Sequence, residues 1–308
     1  MLQTFGLVIP IFAIIAMGWL AIHRNILDQA GSAALTGFAY WVALPSLLFG
    51  SIAEIEAKGL IDLAGIYLAC CLAVYGCALA VSCFLLRCPL AQAAMFGLNS
   101  TYGNVIYLAT PLVSAAFGTQ GLTLILAIIA VHSGVLLPLA AVLIEVGSGK
   151  QGGIGVVVRN SAINLSKNPI IMSILLGFIW RLSGLDMPLA LHNFFGLLGR
   201  AAAPLALFCL GTSLPPLARG SSSVREAAAG TIMKLAVLPL SVGLVAWAAG
   251  LPGLQWRVAV LTAAMPTGAN AFLLARRATD YAEASATTVV LTTAISVLTI
   301  TALLNWMS

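Results

Sequence analysis

Two stretches decide the fold: Asn99-Ser-Thr-Tyr-Gly-Asn104-Val-Ile-Tyr-Leu-Ala-Thr-Pro111 and Ala263-Ala-Met-Pro266-Thr-Gly-Ala-Asn270-Ala-Phe-Leu-Leu-Ala275. Each lies in the middle of an apolar run long enough to cross a bilayer, yet each is rich in Gly, Pro, Asn, Ser or Thr. Aligned on Asn104 and Asn270, both read small residue, Asn, then Leu and Ala four and five positions on. A backbone N–H or C=O freed in hydrocarbon finds no partner there, at a cost of several kcal/mol. An interrupted helix at that depth must therefore be buried in protein or line a cavity. Two such interruptions at matching places in two halves of a chain point to a central ligand site. Gly and Pro are common in membrane helices generally, so the reading rests on the pair and not on either stretch alone.

Composition agrees. The chain has 308 residues, 61% hydrophobic and only 7% charged, with a mean hydropathy of +1.07; soluble domains carry roughly 25% charged residues. That length holds about ten spans of roughly 20 residues with short loops and leaves no room for a sizeable soluble domain. The net charge of +5 comes from Lys and Arg scattered singly or in pairs, a loop pattern and not a nucleic-acid patch. The six cysteines show no CxxC or Cys/His ligand spacing, so neither a metal site nor a disulfide framework is expected. The first apolar run lacks a positive n-region and a cleavage pattern and reads as a retained span.

The hydropathy pattern predicts helical spans over about 4–22, 33–53, 60–86, 91–116, 120–146, 168–185, 190–213, 223–249, 255–277 and 282–306. Residues 1–146 and 168–308 would be two five-helix repeats, joined by a basic, Gly-rich cytoplasmic linker over 147–167. Loops after odd-numbered spans hold Arg24, Arg87, Lys150, Arg159, Lys167, Arg219, Arg225, Arg276 and Arg277. Loops after even-numbered spans hold only Lys58, Arg181 and Arg257, with Glu54, Glu56, Asp62 and Asp186 on the same side. By the positive-inside rule the odd loops are cytoplasmic and both termini lie outside.

A repeat supports this. Pro10 and Pro169 are 159 residues apart, as are Pro45 and Pro204, and the offset grows to 166 at Asn104 and Asn270. Five spans per repeat is odd, so the repeats must be inverted relative to each other. The architecture expected is all-α, ten membrane helices in two inverted repeats with broken crossover helices four and nine.

Catalysis is not expected. The adjacent His132-Ser133 pair cannot face each other on a helix, no GxSxG-like turn occurs, and Asp62, Glu145 and Asp280 sit at span ends. Lys234, midway along the eighth span, is the most informative charge, since a Lys there costs about 2.5–3.5 kcal/mol to insert. It would balance an anionic substrate or hold a moving domain to backbone carbonyls. Arg200, near Pro204, offers a planar fork for a carboxylate or snorkels to the interface. His132, inside the fifth span, is a proton-relay candidate or a packed, hydrogen-bonded residue. Asn104 and Asn270 supply amides at the two breaks, and half-helix N-termini favour anions. Ser100, Thr101, Tyr102, Thr267 and Gly268 complete the candidate shell, with Gly103, Pro111 and Pro266 as hinge positions. One mid-membrane cation without a central carboxylate suits a small anion.

The order of motifs carries a resemblance. They are Trp41-Val-Ala-Leu-Pro45-Ser-Leu-Leu-Phe49, then Tyr102-Gly-Asn104 with Pro111-Leu and Phe117-Gly118, and Asn168-Pro169 with Leu176-Gly177. Pro204-Leu-Ala-Leu-Phe-Cys-Leu-Gly211, Lys234-Leu-Ala-Val-Leu-Pro239 and Ala264-Met-Pro266-Thr-Gly268 follow. From end to end the chain resembles the auxin efflux carrier family, whose bacterial members include malonate and malate permeases. The resemblance implies a bile-acid/sodium symporter-like fold. Helices one, two, six and seven would form a dimeric scaffold, and helices three to five and eight to ten an elevator-like transport domain. Asn104 takes the place of the family's carboxylate-binding Asn. Plant auxin carriers read Asn-Pro-Asn at helix six, where this chain has Asn168-Pro169-Ile170, which favours a small carboxylate over auxin.

The expectation is a permease for a small mono- or dicarboxylate in the bacterial inner membrane, working as a homodimer, without nucleic acid or cofactor, and with Na+ or H+ as candidate coupling ion. A sodium-coupled symporter and a non-transporting sensor of the same fold are the alternatives.

Overall fold

A computed structural model describes residues 2–53, 60–148, 154–215 and 221–307. Glu54, Glu56, Lys58, Lys150 and Arg219, used above for orientation, lie outside the described residues. The described chain is helical: α1 (Leu2–His23), α2 (Gln29–Phe38), α3 (Leu44–Ala53), α4 (Leu60–Ala80), α5 (Leu90–Thr101), α6 (Thr110–Ser148) and α7 (Ile154–Ser166), then α8 (Pro169–Leu182), α9 (Leu189–Thr212), α10 (Ser221–Ile232), α11 (Leu238–Ala248), α12 (Gly253–Ala263), α13 (Ala269–Ala278) and α14 (Ala282–Met307). Most of the expected linker is thus a helix, α7, where the basic and Gly-rich composition suggested a loop. Residues 149–153 of that linker lie outside the described part.

Four single π turns interrupt the helices, at Ala39–Ala43, Val81–Leu85, Val105–Ala109 and Met233–Val237. Three of them are followed two residues later by a proline: Pro45, Pro111 and Pro239. Proline has no N–H, and its ring crowds the carbonyl four residues back. The turn before it widens, so that Leu44, Thr110 and Leu238 donate five residues back to Ala39, Val105 and Met233. Such bulges recur at functional sites. α6 bends at Gly118, whose φ of +63° favours glycine; the bend divides the fourth expected span from the fifth.

Among the described residues six helical segments are long and apolar enough to cross a membrane: Gln29–Ala53, Leu60–Leu85, Val105–Ser148, Leu189–Thr212, Val224–Ala248 and Ala282–Met307. Val8–His23 and Pro169–Leu182 are shorter apolar helices. The ninth expected span falls short because it is cut into α12 and α13, as the fourth is cut between α5 and Val105.

Two groups of helices pack together. α1 and α3 pack on α9, and α3 also on α8. In the other group α4 packs on α5, α6 and α11, α10 and α13 on α14, and α12 on α6 and α11. At the α1–α9 contact, a Cβ added at Gly18 would strike the Phe208 carbonyl, and one at Gly211 the Ile15 carbonyl. These glycines let the two backbones meet, the way membrane helices associate when there is no hydrophobic drive between them.

The core is mostly apolar but encloses a polar cluster, and large apolar side chains also face outward. Asn99, Ser100, Thr101, Lys234, Thr262, Ser285, Thr292 and Ser296 are fully buried. Ile61, Phe84, Leu189, Trp247 and Leu298 are each at least 74% exposed. Such an apolar exterior suits a lipid solvent, because in water it would be an interaction patch or an aggregation hazard.

Candidate functional site

The two broken stretches meet. α5 ends at Thr101, and Tyr102, Gly103 and Asn104 run extended before the helix resumes. α12 ends at Ala263, and Ala264 to Gly268 lead into α13. Gly103 and Thr267 form an antiparallel bridge, flanked by Asn104 N donating to Pro266 O at 2.8 Å and Gly268 N donating to Tyr102 O at 2.9 Å. Each break thereby satisfies backbone groups of the other, as buried irregular backbone must. A Cβ at Gly268 would stand 3.0 Å from the Tyr102 ring and 3.2 Å from Gly103 O, so this crossing needs a glycine for space.

The remaining peptide N–H groups are met symmetrically. Gly103 N donates to His132 Nε2 at 3.1 Å, and Thr267 N donates to Thr292 Oγ1 at 3.0 Å. His132 stands on α6 and Thr292 on α14, 160 residues apart in the chain, close to the repeat offset. The central histidine is thus packed and hydrogen-bonded. Because Nε2 accepts, the imidazole proton sits on Nδ1, and Nδ1 is buried without a partner. The Tyr102 ring stacks on the imidazole with centroids 4.7 Å apart. Thr292→Val would strand the Thr267 N–H in the interior and is expected to cost about 1–3 kcal/mol, read as a lower melting temperature of the purified protein. A melting point equal to that of the parent would remove Thr292 from this role.

Beside the crossing is a small cavity of about 20 Å³, lined by Tyr102, Gly103, Asn104, His132, Gly268 and Asn270 among others. Asn104 Oδ1 accepts from Tyr107 N at 3.2 Å, so its amide nitrogen is the free end; Nδ2 is buried and unpartnered. Asn270 is exposed and belongs to the first turn of α13, which has no side-chain cap on its N-terminus. The lining therefore presents donors: an orphan amide, a buried imidazole that donates at Nδ1, and an uncapped helix N-terminus with its partial positive charge. In this conformation the volume suits one water molecule; a carboxylate needs the walls to part.

Several candidates lie elsewhere. Ser100 and Thr101 turn their hydroxyls back to the carbonyls of Phe96 and Gly97 in their own helix. Thr267 Oγ1 donates to Asn99 O at 2.8 Å, and Asn99 Oδ1 accepts from Ser285 at 3.0 Å. Lys234 does not line the cavity: its Nζ donates to Ala263 O at 2.6 Å. Asn168 caps α8 through Ile170 N and Ile171 N. Arg200 and Pro111 line a second cavity of about 490 Å³ between α3, α6 and α9, with Ser46, Ser114 and His192. Ser133 and Tyr107 at the small cavity, and Asn99, Ser285 and Thr292 around the crossing, were not among the residues expected at the site. The repeat offset carried a signal for Thr292 alone.

The match to the membrane transport protein family covers residues 4–152 and 154–304. The chain belongs to that family, the one that includes the auxin efflux carriers. It is 28% identical to the "Putative malonate transporter" of Rhizobium meliloti (strain 1021), over 99% of this chain and 96% of that one. It is 25% identical to the "Uncharacterized transporter YfdV" of Escherichia coli (strain K12), over 90% of this chain and 88% of that one. An "Uncharacterized transporter" of Methanothermobacter thermautotrophicus is 26% identical over 87% of this chain and 86% of its own length. As a member of the membrane transport family, the protein is an integral membrane transporter and not an enzyme.

Proposed function

We propose that this transporter carries a small organic anion, a mono- or dicarboxylate, bound at the crossing of its broken helices. The observation that carries the reading is Asn104 Nδ2, a buried amide donor with no partner, lining a cavity beside the uncapped N-terminus of α13. An unpaired buried donor costs about 1–3 kcal/mol, a cost that a carboxylate oxygen in the site would relieve. His132 Nδ1–H and the Asn270 amide add donors, and no acidic side chain lines the cavity to repel an anion. The large cavity with Arg200 gives the anion an approach between the α3–α9 group and α6.

In this reading the ten spans form two inverted five-helix repeats. The α1, α3, α8 and α9 group is the scaffold of a homodimer, and the remainder moves as an elevator in the inner membrane with both termini outside. The paired breaks, the matched Gly103–His132 and Thr267–Thr292 bonds and the two packing groups support it.

The test is thermal stabilisation of the purified protein by a panel of mono- and dicarboxylates, followed by liposome uptake of whichever binds. Malonate, for which the Rhizobium relative is named, heads the panel. A ligand at 100 times its Kd is expected to add about 2.7 kcal/mol. Stabilisation with uptake supports a permease. Binding without flux would make the protein a sensor, and no hit across the panel would remove the carboxylate assignment.

A further inference from the structure

Discontinuous helices in transporters hold coupling cations at half-helix C-termini and unwound carbonyls, and the hydroxyls and carbonyls of this crossing raised sodium as a coupling ion. The residues present do not fit it. The C-terminal end of half-helix α12 is already occupied by the Lys234 amino group, whose Nζ donates to Ala263 O at 2.6 Å. The Lys234 side chain is fully buried, and no hydrogen bond to a carboxylate is formed by it among the described residues. A Cβ built on Gly103 would stand 3.4 Å from Nζ and 3.5 Å from Cε, so the ammonium end lies against the first break while bonding the second. The π turn at Met233–Val237, which precedes Pro239, carries Lys234 at this level.

Several other oxygens of the crossing accept hydrogen bonds already. Pro266 O accepts from Asn104 N, Tyr102 O from Gly268 N and Gly103 O from Val105 N. Asn99 O accepts from Thr267, and Asn99 Oδ1 from Ser285. Thr292 Oγ1 accepts from Thr267 N and gives its own proton to Thr288 O. A sodium ion here would share these oxygens with their donors while sitting within Coulomb range of a buried ammonium in a low-dielectric interior, which repels it.

We propose that the Lys234 ammonium is a tethered replacement for a coupling sodium ion, clamping the α12 end against the Gly103 break, and that the protein neither binds nor needs sodium. A fixed charge there also explains how a cation can stay at the crossing throughout a transport cycle without a gradient to deliver it. The proposal rests on the transporter reading only for its uptake arm.

The first arm compares wild-type melting temperature, without any carboxylate, in sodium chloride and in choline chloride at equal ionic strength, together with uptake of the best panel anion in the same salts. Equal values are expected. A higher melting temperature in sodium, or uptake severalfold lower in choline, would overturn the proposal. The second arm uses Lys234→Ala, which opens the carbonyl end and leaves room for n-propylammonium, the fragment the substitution deletes. This variant is expected to melt lower than wild type and to be partly restored by n-propylammonium or by sodium but not by the bulkier choline. A variant that melts like wild type, or one that neither cation restores, also overturns it. If Lys234→Ala yields no folded protein, the wild-type comparison of sodium with choline decides alone. Because the melting arm contains no carboxylate, its result stands whether or not the anion assignment survives.

Discussion

Asn104→Ser is expected to lose carboxylate binding and uptake while melting close to wild type. Asn104 does two separable things. Its Oδ1 caps the resumed helix by accepting from Tyr107 N at 3.2 Å, and its Nδ2 is the unpartnered donor. Serine is as good an N-cap as asparagine, so the first role survives the change. The second does not, because a hydroxyl turned to the cap has no amide group to offer the cavity. A hydrogen bond to a charged group contributes about 1.5–3 kcal/mol, so affinity should fall roughly 10- to 150-fold. Asn104→Ala removes cap and donor together. It is expected to match Asn104→Ser in uptake but to lose about 0.5–2 kcal/mol of stability besides. The comparison checks itself: if Asn104→Ser binds the panel anion as tightly as wild type, the amide is not in the site. If both variants melt alike, the cap contributes nothing.

Gly211→Ala is expected to have the largest effect on stability of any single methyl added to α9. The new Cβ would strike the carbonyl of Ile15 on α1, and the reciprocal Gly18 faces the Phe208 carbonyl. A backbone atom cannot rotate away as a side chain can, so the two helices must separate along the contact. Overpacking of this kind costs about 1–3 kcal/mol and occasionally more, and separation also forfeits the close van der Waals contact that holds membrane helices together. Gly196→Ala, on the same helix with nothing within 4 Å of its added Cβ, is the control. It is expected to melt at or above wild type, since Ala is the better helix former by about 1 kcal/mol. Equal melting of the two variants would show that the α1–α9 approach does not depend on Gly211.

Much of the fold was legible because lipid imposes its demands residue by residue. Apolar runs and two polar interruptions in matching places register in the sequence without knowledge of any contact. The prolines at 45, 111 and 239 were visible too, though not the π turns they impose. The site was less legible. Asn104, Asn270, Tyr102, Gly103, Gly268 and His132 do line one cavity, but Ser100 and Thr101, equally polar and adjacent to them, turn back into their own helix. In a helix, Ser and Thr readily bond the carbonyl four residues earlier, and only the local geometry decides whether they do. For Lys234 the sequence leaves substrate and carbonyl equally open as partners, and its Nζ goes to Ala263 O.

The sequence by itself determined the class of solvent and the two places where a helix had to stop, because each follows from local composition acting against hydrocarbon. Tertiary structure decided where the freed backbone groups went. Asn104 N finds Pro266 O, Gly268 N finds Tyr102 O, and Thr267 N finds Thr292, partners that in the first two cases stand over 160 residues away. Satisfying a buried hydrogen bond is a property of two groups and their geometry, and composition describes only one of them at a time.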